Sequence, residues 1–202
     1  MTELLAGLDV SRETIEKLKS LESLLAKWNP AINLVARSTV DAAWSRHILD
    51  SAQLFQIAPF RVWADLGSGG GFPGLVIAVL AEGRGSDARV VLVEADQRKA
   101  TFLREAARGL GVRVQVEAQR IESVDPLAAD ILSARALAPL SALCGFAARH
   151  LAPAGTAIFP KGQNWEAEVA EARKSWKFDL DVRPSLVEAG SVVLVMKAIV
   201  HV

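Results

Sequence analysis

The strongest chemical signal in the chain is a glycine turn. Residues 64–75 read ADLGSGGGFPGL, with five glycines in the eight positions from 67 to 74. Glycine adopts φ > 0 without strain and has no Cβ, so a stretch this dense sacrifices backbone order for close approach to a ligand. Two ligand classes fit the spacing. Gly69, Gly71 and Gly74 satisfy the dinucleotide fingerprint, in which the turn cradles a pyrophosphate. Asp65, Gly67, Gly69 and Gly71 satisfy the acid-x-Gly-x-Gly-x-Gly loop that holds S-adenosylmethionine. Charge favours the second, because a carboxylate at the start of the turn repels a pyrophosphate and attracts the amino group of a sulfonium cofactor. Glu94 stands where an acid can accept hydrogen bonds from both ribose hydroxyls of an adenosine, which both cofactors contain. Ile121 and Glu122, in the stretch AQRIES at 118–123, are candidates for the adenine edge through a backbone N–H and a carboxylate. A tight turn without ligand is the remaining reading, and the strand before and helix after weigh against it.

These groups act together only if the chain brings them to one edge of a sheet. From residue 61 onward, short β-branched runs alternate with longer helical segments, the signature of a parallel sheet covered on both faces. Strands are predicted at 61–66, 89–94, 112–117, 129–134 and 156–161, and helices near 73–82, 96–109 and 137–151. KFDLDV and SVVLVMK have no helix-length insert between them and predict an antiparallel pair. The fold class is therefore α/β, a doubly wound Rossmann-like sheet whose ligand crevice lies beyond the carboxyl ends of the strands. Upstream, Ile15, Leu18, Leu21, Leu25 and Trp28 recur at helical spacing behind a Ser11 cap, and Asn29 and Pro30 end that helix. A second helix is expected from about Thr39 to Phe55. The first sixty residues thus read as helical, which gives a helical extension over residues 1–58 and one compact Rossmann-like unit over residues 59–202.

Composition narrows the function classes. The 202 residues are 51% hydrophobic, enough for one sizeable core. Lys plus Arg and Asp plus Glu both number 23, which excludes a surface that grips nucleic acid everywhere and confines any such contact to a local patch. The segment MTELLAGLDV carries an early acid and no basic leader, so no secretory signal is expected. Apolar runs such as GLVIAVLA fall short of the ~20 residues of a spanning helix. A soluble cytoplasmic protein without membrane association is expected. The lone Cys144 fits a reducing compartment and reads as a small buried hydrophobe. His47 has no second histidine or cysteine nearby in sequence, so no metal is expected.

Other charged residues sit where the crevice should be. Arg135 follows the strand at 129–134, where a guanidinium can fork onto a carboxylate or phosphate. Lys161 ends the strand at 156–161 beside Gly162. Arg46 and Asp50, four apart on the expected second helix, could form an exposed ion pair. The helix at 164–176 reads as a solvated face.

Five segments in this order, KWNPAINLV at 27–35, RHILDS at 46–51, DLGSGGGFPG at 65–74, SARALAPL at 133–140 and PKG at 160–162, resemble the RsmG/GidB family over nearly the full length. RHILDS ahead of a glycine loop that ends in Phe-Pro-Gly is specific to that family. The resemblance implies a class I S-adenosylmethionine-dependent methyltransferase acting on N7 of a guanine in the decoding-site loop of bacterial 16S ribosomal RNA, within the small ribosomal subunit or its assembly intermediate. It also implies that Gly67, Phe72, Ile121, Glu122 and Arg135 contact the cofactor. Asn33, Arg46, His47, Asp50 and Lys161 would flank the RNA, with Arg135, Lys161 and His47 as positioning candidates. Val35 departs from the family's usual Thr, which bears on one local hydrogen bond. Since N7 of neutral guanine carries a lone pair and no proton, catalysis would rest on positioning rather than on a general base. Phe72 and the rim arginines could stack on a splayed base. A nicotinamide-dependent oxidoreductase and a catalytically idle RNA-binding module remain the alternatives.

Overall fold

The computed structural model describes residues 2–202, and side chains from residue 4 onward. The first residue of MTELLAGLDV lies outside the described residues. The chain begins with a β-hairpin, β1 (Thr2–Leu5) and β2 (Leu8–Ser11), where helix was expected. Ala6 and Gly7 both have positive φ, the geometry a two-residue hairpin turn requires, and Leu5, Leu8 and Val10 are buried. Leu4, Leu5 and Leu8 around Gly7 fit either periodicity in so short a segment, so the pattern alone misleads.

Helix α1 (Arg12–Ile32) starts at Ser11, whose hydroxyl accepts the Thr14 N–H. It runs past Asn29 and Pro30, where an end was expected, because Pro30 removes only one intrahelical donor in the last turn. Asn33, in the left-handed region, then caps it. The expected second helix is instead a 3₁₀ turn at Arg37–Thr39, a wide π-type turn at Trp44–Leu49 and a short α2 (Asp50–Ala52). Here polar side chains divert the ladder. The Arg46 carbonyl is taken by Arg135 and the His47 carbonyl by the Ser51 hydroxyl.

The remaining strands are β3 (Val62–Leu66), β4 (Arg89–Val93), β5 (Gln115–Glu117), β6 (Ala129–Ala134), β7 (Leu151–Lys161), β8 (Trp176–Pro184) and β9 (Val192–His201). They form one sheet in the order β5-β4-β3-β6-β7-β9-β8. The first five are parallel, and β9 enters antiparallel between β7 and β8. Helices α3 (Gly74–Gly83), α4 (Gln97–Leu110), α5 (Leu140–His150) and α6 (Trp165–Ala172) connect them. The α/β, doubly wound reading therefore holds, antiparallel ending included.

Two apolar clusters flank the sheet. One joins Leu18, Leu21 and Leu25 of α1 to Leu75, Val79 and Phe102, and the other gathers Leu132, Phe159 and Met196 with Leu143 and Cys144. Trp28 closes edge-on against Phe102 at 5.7 Å between ring centroids. Among the described residues no helix is long and apolar enough to cross a membrane.

Candidate active site

The glycine turn follows β3 and leads directly into α3, whose residues from Gly74 to Ala81 are all buried. A buried helix start needs partners for its free N–H groups, and Pro73 supplies none. Asp65 does. Its Oδ2 accepts the Gly74 N–H at 3.1 Å, and its Oδ1 accepts the Ser133 hydroxyl at 2.8 Å. The Ser133 oxygen in turn accepts Trp63 Nε1–H at 2.8 Å. A negative charge at a helix N-terminus is also favoured by the helix dipole. Asp65 is completely buried and does not line the cleft described below, so the direct contact with a cofactor amino group expected of it is not available in this geometry. It braces the turn instead.

Two glycines show what the turn demands. A Cβ on Gly74 would lie 2.2 Å from Leu92 Cδ2 and 2.9 Å from Asp65 Oδ2, whereas one on Gly69 would meet nothing closer than 3.8 Å. Gly74→Ala is expected to cost about 2–3 kcal/mol of unfolding free energy in urea titrations, through overpacking. Gly69→Ala should cost only about 1–2 kcal/mol, from its φ of +52°. Equal losses would contradict this division. The Gly69 N–H is held by Glu94 Oε2 at 2.8 Å, and Glu94 Oε1 accepts the Asp96 N–H at 2.8 Å. Glu94 thus ties the turn to the end of β4, while Asp96 caps α4.

Beyond the carboxyl ends of β3, β6 and β7 opens a cleft of about 1140 Å³. Gly67–Gly70 and Phe72 form one wall, residues 33–37 with Thr39 a second, and residues 135–139 a third. Arg46, His47 and Asp50 project from the π-type turn, and the β8–β9 loop adds Ser185, Glu188 and Ser191. At its centre Arg135 Nη1 donates to His47 Nδ1 at 3.0 Å, to the Arg46 carbonyl at 3.2 Å and to Asp50 Oδ2 at 3.4 Å. A guanidinium cannot accept, so His47 Nδ1 must. The ring proton then sits on Nε2 and is donated to Thr39 Oγ1 at 2.9 Å, and the Thr39 hydroxyl passes its own proton to the Ala36 carbonyl. Both imidazole nitrogens are engaged. Phe72 lies beneath, 5.1 Å from the His47 ring and 5.5 Å from the Arg135 guanidinium carbon. With both groups against it and 3% of its surface exposed, Phe72 is a floor and cannot stack on a base as expected.

Arg46 does not pair with Asp50. It reaches Glu188 at 2.6 Å across the cleft mouth, and Asp50 is held by Arg135 and by Gln53 Nε2. Lys161 is in the cleft wall, but its ammonium donates to Glu168 Oε2 at 2.7 Å and to the Ala138 carbonyl at 3.1 Å. Glu168 also accepts the Leu140 N–H at the start of α5, so the face of α6 read as merely solvated braces this corner. Asn33 is exposed at the rim, and the Val35 N–H is secured by Asn29 Oδ1 at 2.9 Å, a bond indifferent to the Val35 side chain.

The GidB family model, described as rRNA small subunit methyltransferase G, matches residues 14–193. The chain belongs to the GidB family. The protein named Ribosomal RNA small subunit methyltransferase G of Cereibacter sphaeroides is 54% identical over 198 residues, covering 97% of this chain and 95% of its own. That of Ruegeria sp. (strain TM1040) is 54% identical over 196 residues, 96% of each. Among solved structures, M. jannaschii TYW2 in complex with AdoMet aligns with a TM-score of 0.56 at 15% identity, covering 79% of this chain and 78% of that one. That likeness shows the shared fold.

Of the positions that the GidB resemblance singles out, the structure gathers Asn33, Arg46, His47, Asp50, Gly67, Phe72, Arg135 and Lys161, together with Gly69, around one cleft. Gly71, Glu94, Ile121 and Glu122 do not line it, the last two lying in a 3₁₀ turn (Ile121–Ser123) after β5. Sequence reasoning missed Arg37, Lys99, Glu168 and Glu188 on its walls. With them the cleft carries five cations against three carboxylates, a local basic excess on a chain of zero net charge. Lys99 had a signal in the first turn of a predicted helix. Glu188 had none, since its position depends on how β8 and β9 pair. Among the described residues no group of His, Cys, Asp and Glu is arranged to hold a metal.

Two buried groups titrate with opposite consequences. Burial, aided by the Arg135 and Arg46 charges, lowers His47 from 6.5 to about 4, so its contribution to stability is complete above pH 6.5 and lost as pH falls through 4. Burial raises Asp65 from 3.8 to about 6, against its hydrogen bonds, so its contribution is complete below pH 3.8 and lost as pH rises through 6. Each is on the order of 3 kcal/mol at full extent. From pH 4 to 6 the stability advantage of the parent over Asp65→Asn should therefore shrink, and that over His47→Phe should grow. Urea titrations at several pH values check this, and parallel trends in the two variants would contradict it.

Proposed function

We propose that the protein transfers the methyl group of S-adenosylmethionine to N7 of a guanine in the decoding-site loop of 16S ribosomal RNA, in the cytoplasm, with the small ribosomal subunit or an assembly intermediate as substrate. The observation that carries this reading is the GidB family match over residues 14–193 of a chain whose glycine turn opens on a basic cleft. The turn fits the cofactor. Gly69 leaves open space where a side chain would stand, and the Glu94 carboxylate, with one N–H on each oxygen, keeps lone pairs for ribose hydroxyls. Gly67, Gly69, Glu94 and the Ile121–Glu122 turn would hold the cofactor, with Asp65 and Gly71 shaping the loop. When bound, S-adenosylmethionine supplies a methyl group on a positively charged sulfur, open to attack by a nitrogen lone pair.

The chain's own residues orient the target. The cleft contains no free base: His47 is neutral near pH 7 and both its nitrogens are committed, which suits a nucleophile that has no proton to lose. Arg135 is held by three acceptors and sits above Phe72, so one guanidinium is fixed at the junction of the turn and the π-type turn. Arg37, Arg46 and Lys99 line the remaining walls and would meet RNA phosphates, the sequence-independent part of the affinity.

Transfer of labelled methyl from S-adenosylmethionine to small subunits lacking the modification tests the reading. The parent should label them, Gly69→Val should not, and a short protein-free hairpin should be a poor substrate. Tight NAD binding without response to S-adenosylmethionine would overturn the proposal. RNA binding without any methyl transfer would establish the idle module instead.

A further inference from the structure

His150, the last residue of α5, is completely buried on the face of the sheet opposite α1, and nothing in the cleft uses it. Its Nε2 lies 3.2 Å from the Ile121 carbonyl. A carbonyl only accepts, so Nε2 carries the proton and Nδ1 is left with a bare lone pair. Among the described residues, His150 Nδ1 is the only buried side-chain nitrogen or oxygen without a partner. An orphaned polar atom costs stability, and leucine would fill the same space without that cost. What leucine could not supply is the bond to Ile121. The neighbouring Arg149 makes a second bond of the same kind, from Nη2 to the Val124 carbonyl at 2.9 Å. The end of α5 therefore grips the 3₁₀ turn Ile121–Ser123 at both ends, by the carbonyl of its first residue and by that of the residue after it. Apart from Val124, buried in the core, and Ile121 packed beside it, little else fixes this turn. Glu122 and Ser123 are exposed, and β5 before it is only three residues long.

We propose that His150 and Arg149 are positioning residues for the adenine end of the cofactor site, holding the Ile121–Glu122 turn at the height at which its N–H and carboxylate meet the base. The inference rests on the function proposed above, with S-adenosylmethionine as cofactor and this turn at its adenine. Burial lowers the basicity of His150, in keeping with a neutral ring that donates from Nε2. Neither residue touches the ligand. Their effect is on how often the turn is in place, and so on cofactor affinity and not on RNA.

Calorimetric titration of the full chain with S-adenosylhomocysteine provides the test, since it reads binding without turnover. His150→Leu should weaken binding about fivefold, the scale of one lost hydrogen bond, while His150→Gln, whose amide nitrogen can reach the same carbonyl, should stay within about twofold of the parent. Arg149→Met, on the exposed side, should weaken it about two- to fivefold without threatening the fold. In steady-state assays the KM for S-adenosylmethionine should rise in His150→Leu and Arg149→Met, and the KM for small subunits should not move. Thermal unfolding should show His150→Leu at least as stable as the parent, separating positioning from packing. Unchanged affinity in His150→Leu and Arg149→Met, or a glutamine variant as weak as the leucine one, would overturn the inference. Should His150→Leu not fold, the Arg149→Met titration decides. A parent that binds no S-adenosylhomocysteine would instead refute the proposed function.

Discussion

Arg135→Met is expected to lower kcat/KM on small subunits by about 100-fold or more, the scale of a misplaced reacting group. The substitution keeps an unbranched apolar stem and removes the three guanidinium bonds at the centre of the cleft. His47 Nδ1 and the Arg46 carbonyl lose their donor, and Asp50, half-buried, loses its cation. Burial already pushes the Asp50 carboxyl above its usual range, with the guanidinium opposing it, so without Arg135 the carboxyl should rise further. Removing one partner of a desolvated pair is destabilising. About 2 kcal/mol is expected here, below the fully buried case because both side chains keep some solvent contact. Arg46→Gln breaks a shorter ion pair with Glu188, but that pair is roughly half exposed on each side and should cost about 1 kcal/mol or less. Urea unfolding and initial rates on the same preparations check both. If Arg46→Gln were the more damaging to stability, the buried cluster would not be the organising feature of the cleft.

Asp65→Ala should be the most damaging single change to cofactor binding, although Asp65 touches no ligand space. Without the carboxylate the buried Gly74 N–H has no acceptor, and the Trp63–Ser133 chain keeps only a long 3.5 Å bond to the Ala64 carbonyl. A loss of about 3 kcal/mol in stability is expected, from one buried donor left unpaired and a second left with a weak bond. The affinity for S-adenosylhomocysteine should fall by about 50-fold or more as the glycine turn loosens. Asparagine should rescue part of the loss, with its carbonyl on the Gly74 N–H and its amide donating to Ser133 Oγ, whose proton turns to the Ala64 carbonyl. A direct contact with the ligand would behave differently: affinity would fall while the ligand-free protein kept its unfolding free energy. Calorimetry together with unfolding of the ligand-free chain separates the two cases.

That contrast marks where sequence reasoning carried through and where it stopped. The alternation of β-branched runs and helical segments dictated the sheet, because parallel strands buried on both faces must be apolar throughout, as in Val90–Val93. The glycine turn was legible for a related reason, since positive φ at Gly67, Gly69 and Gly71 is something few other residues accept. The direction of a side chain was not. Asp65 at the end of a strand could face the crevice or the helix start, and the choice is made by the Gly74 N–H and by Ser133, 68 residues away in sequence. The hairpin at Thr2–Ser11 escaped because four-residue strands carry too few alternations to outvote a helical reading. Arg46 and Asp50, four apart, could have met in an exposed ion pair. The wide turn at Trp44–Leu49 aims them at different partners, Glu188 and Arg135, from segments 142 and 85 residues away. Contacts of that range follow from topology and leave no trace in local spacing.

The most direct measurement of the central claim is mass mapping of 16S ribosomal RNA from cells that carry this protein and from the same cells without it. One 7-methylguanosine in the decoding-site loop should vanish on deletion, return with the parent chain, and fail to return with Gly69→Val. An unchanged methylation map on deletion, or the loss of a methyl group from any other atom or base, would contradict the account.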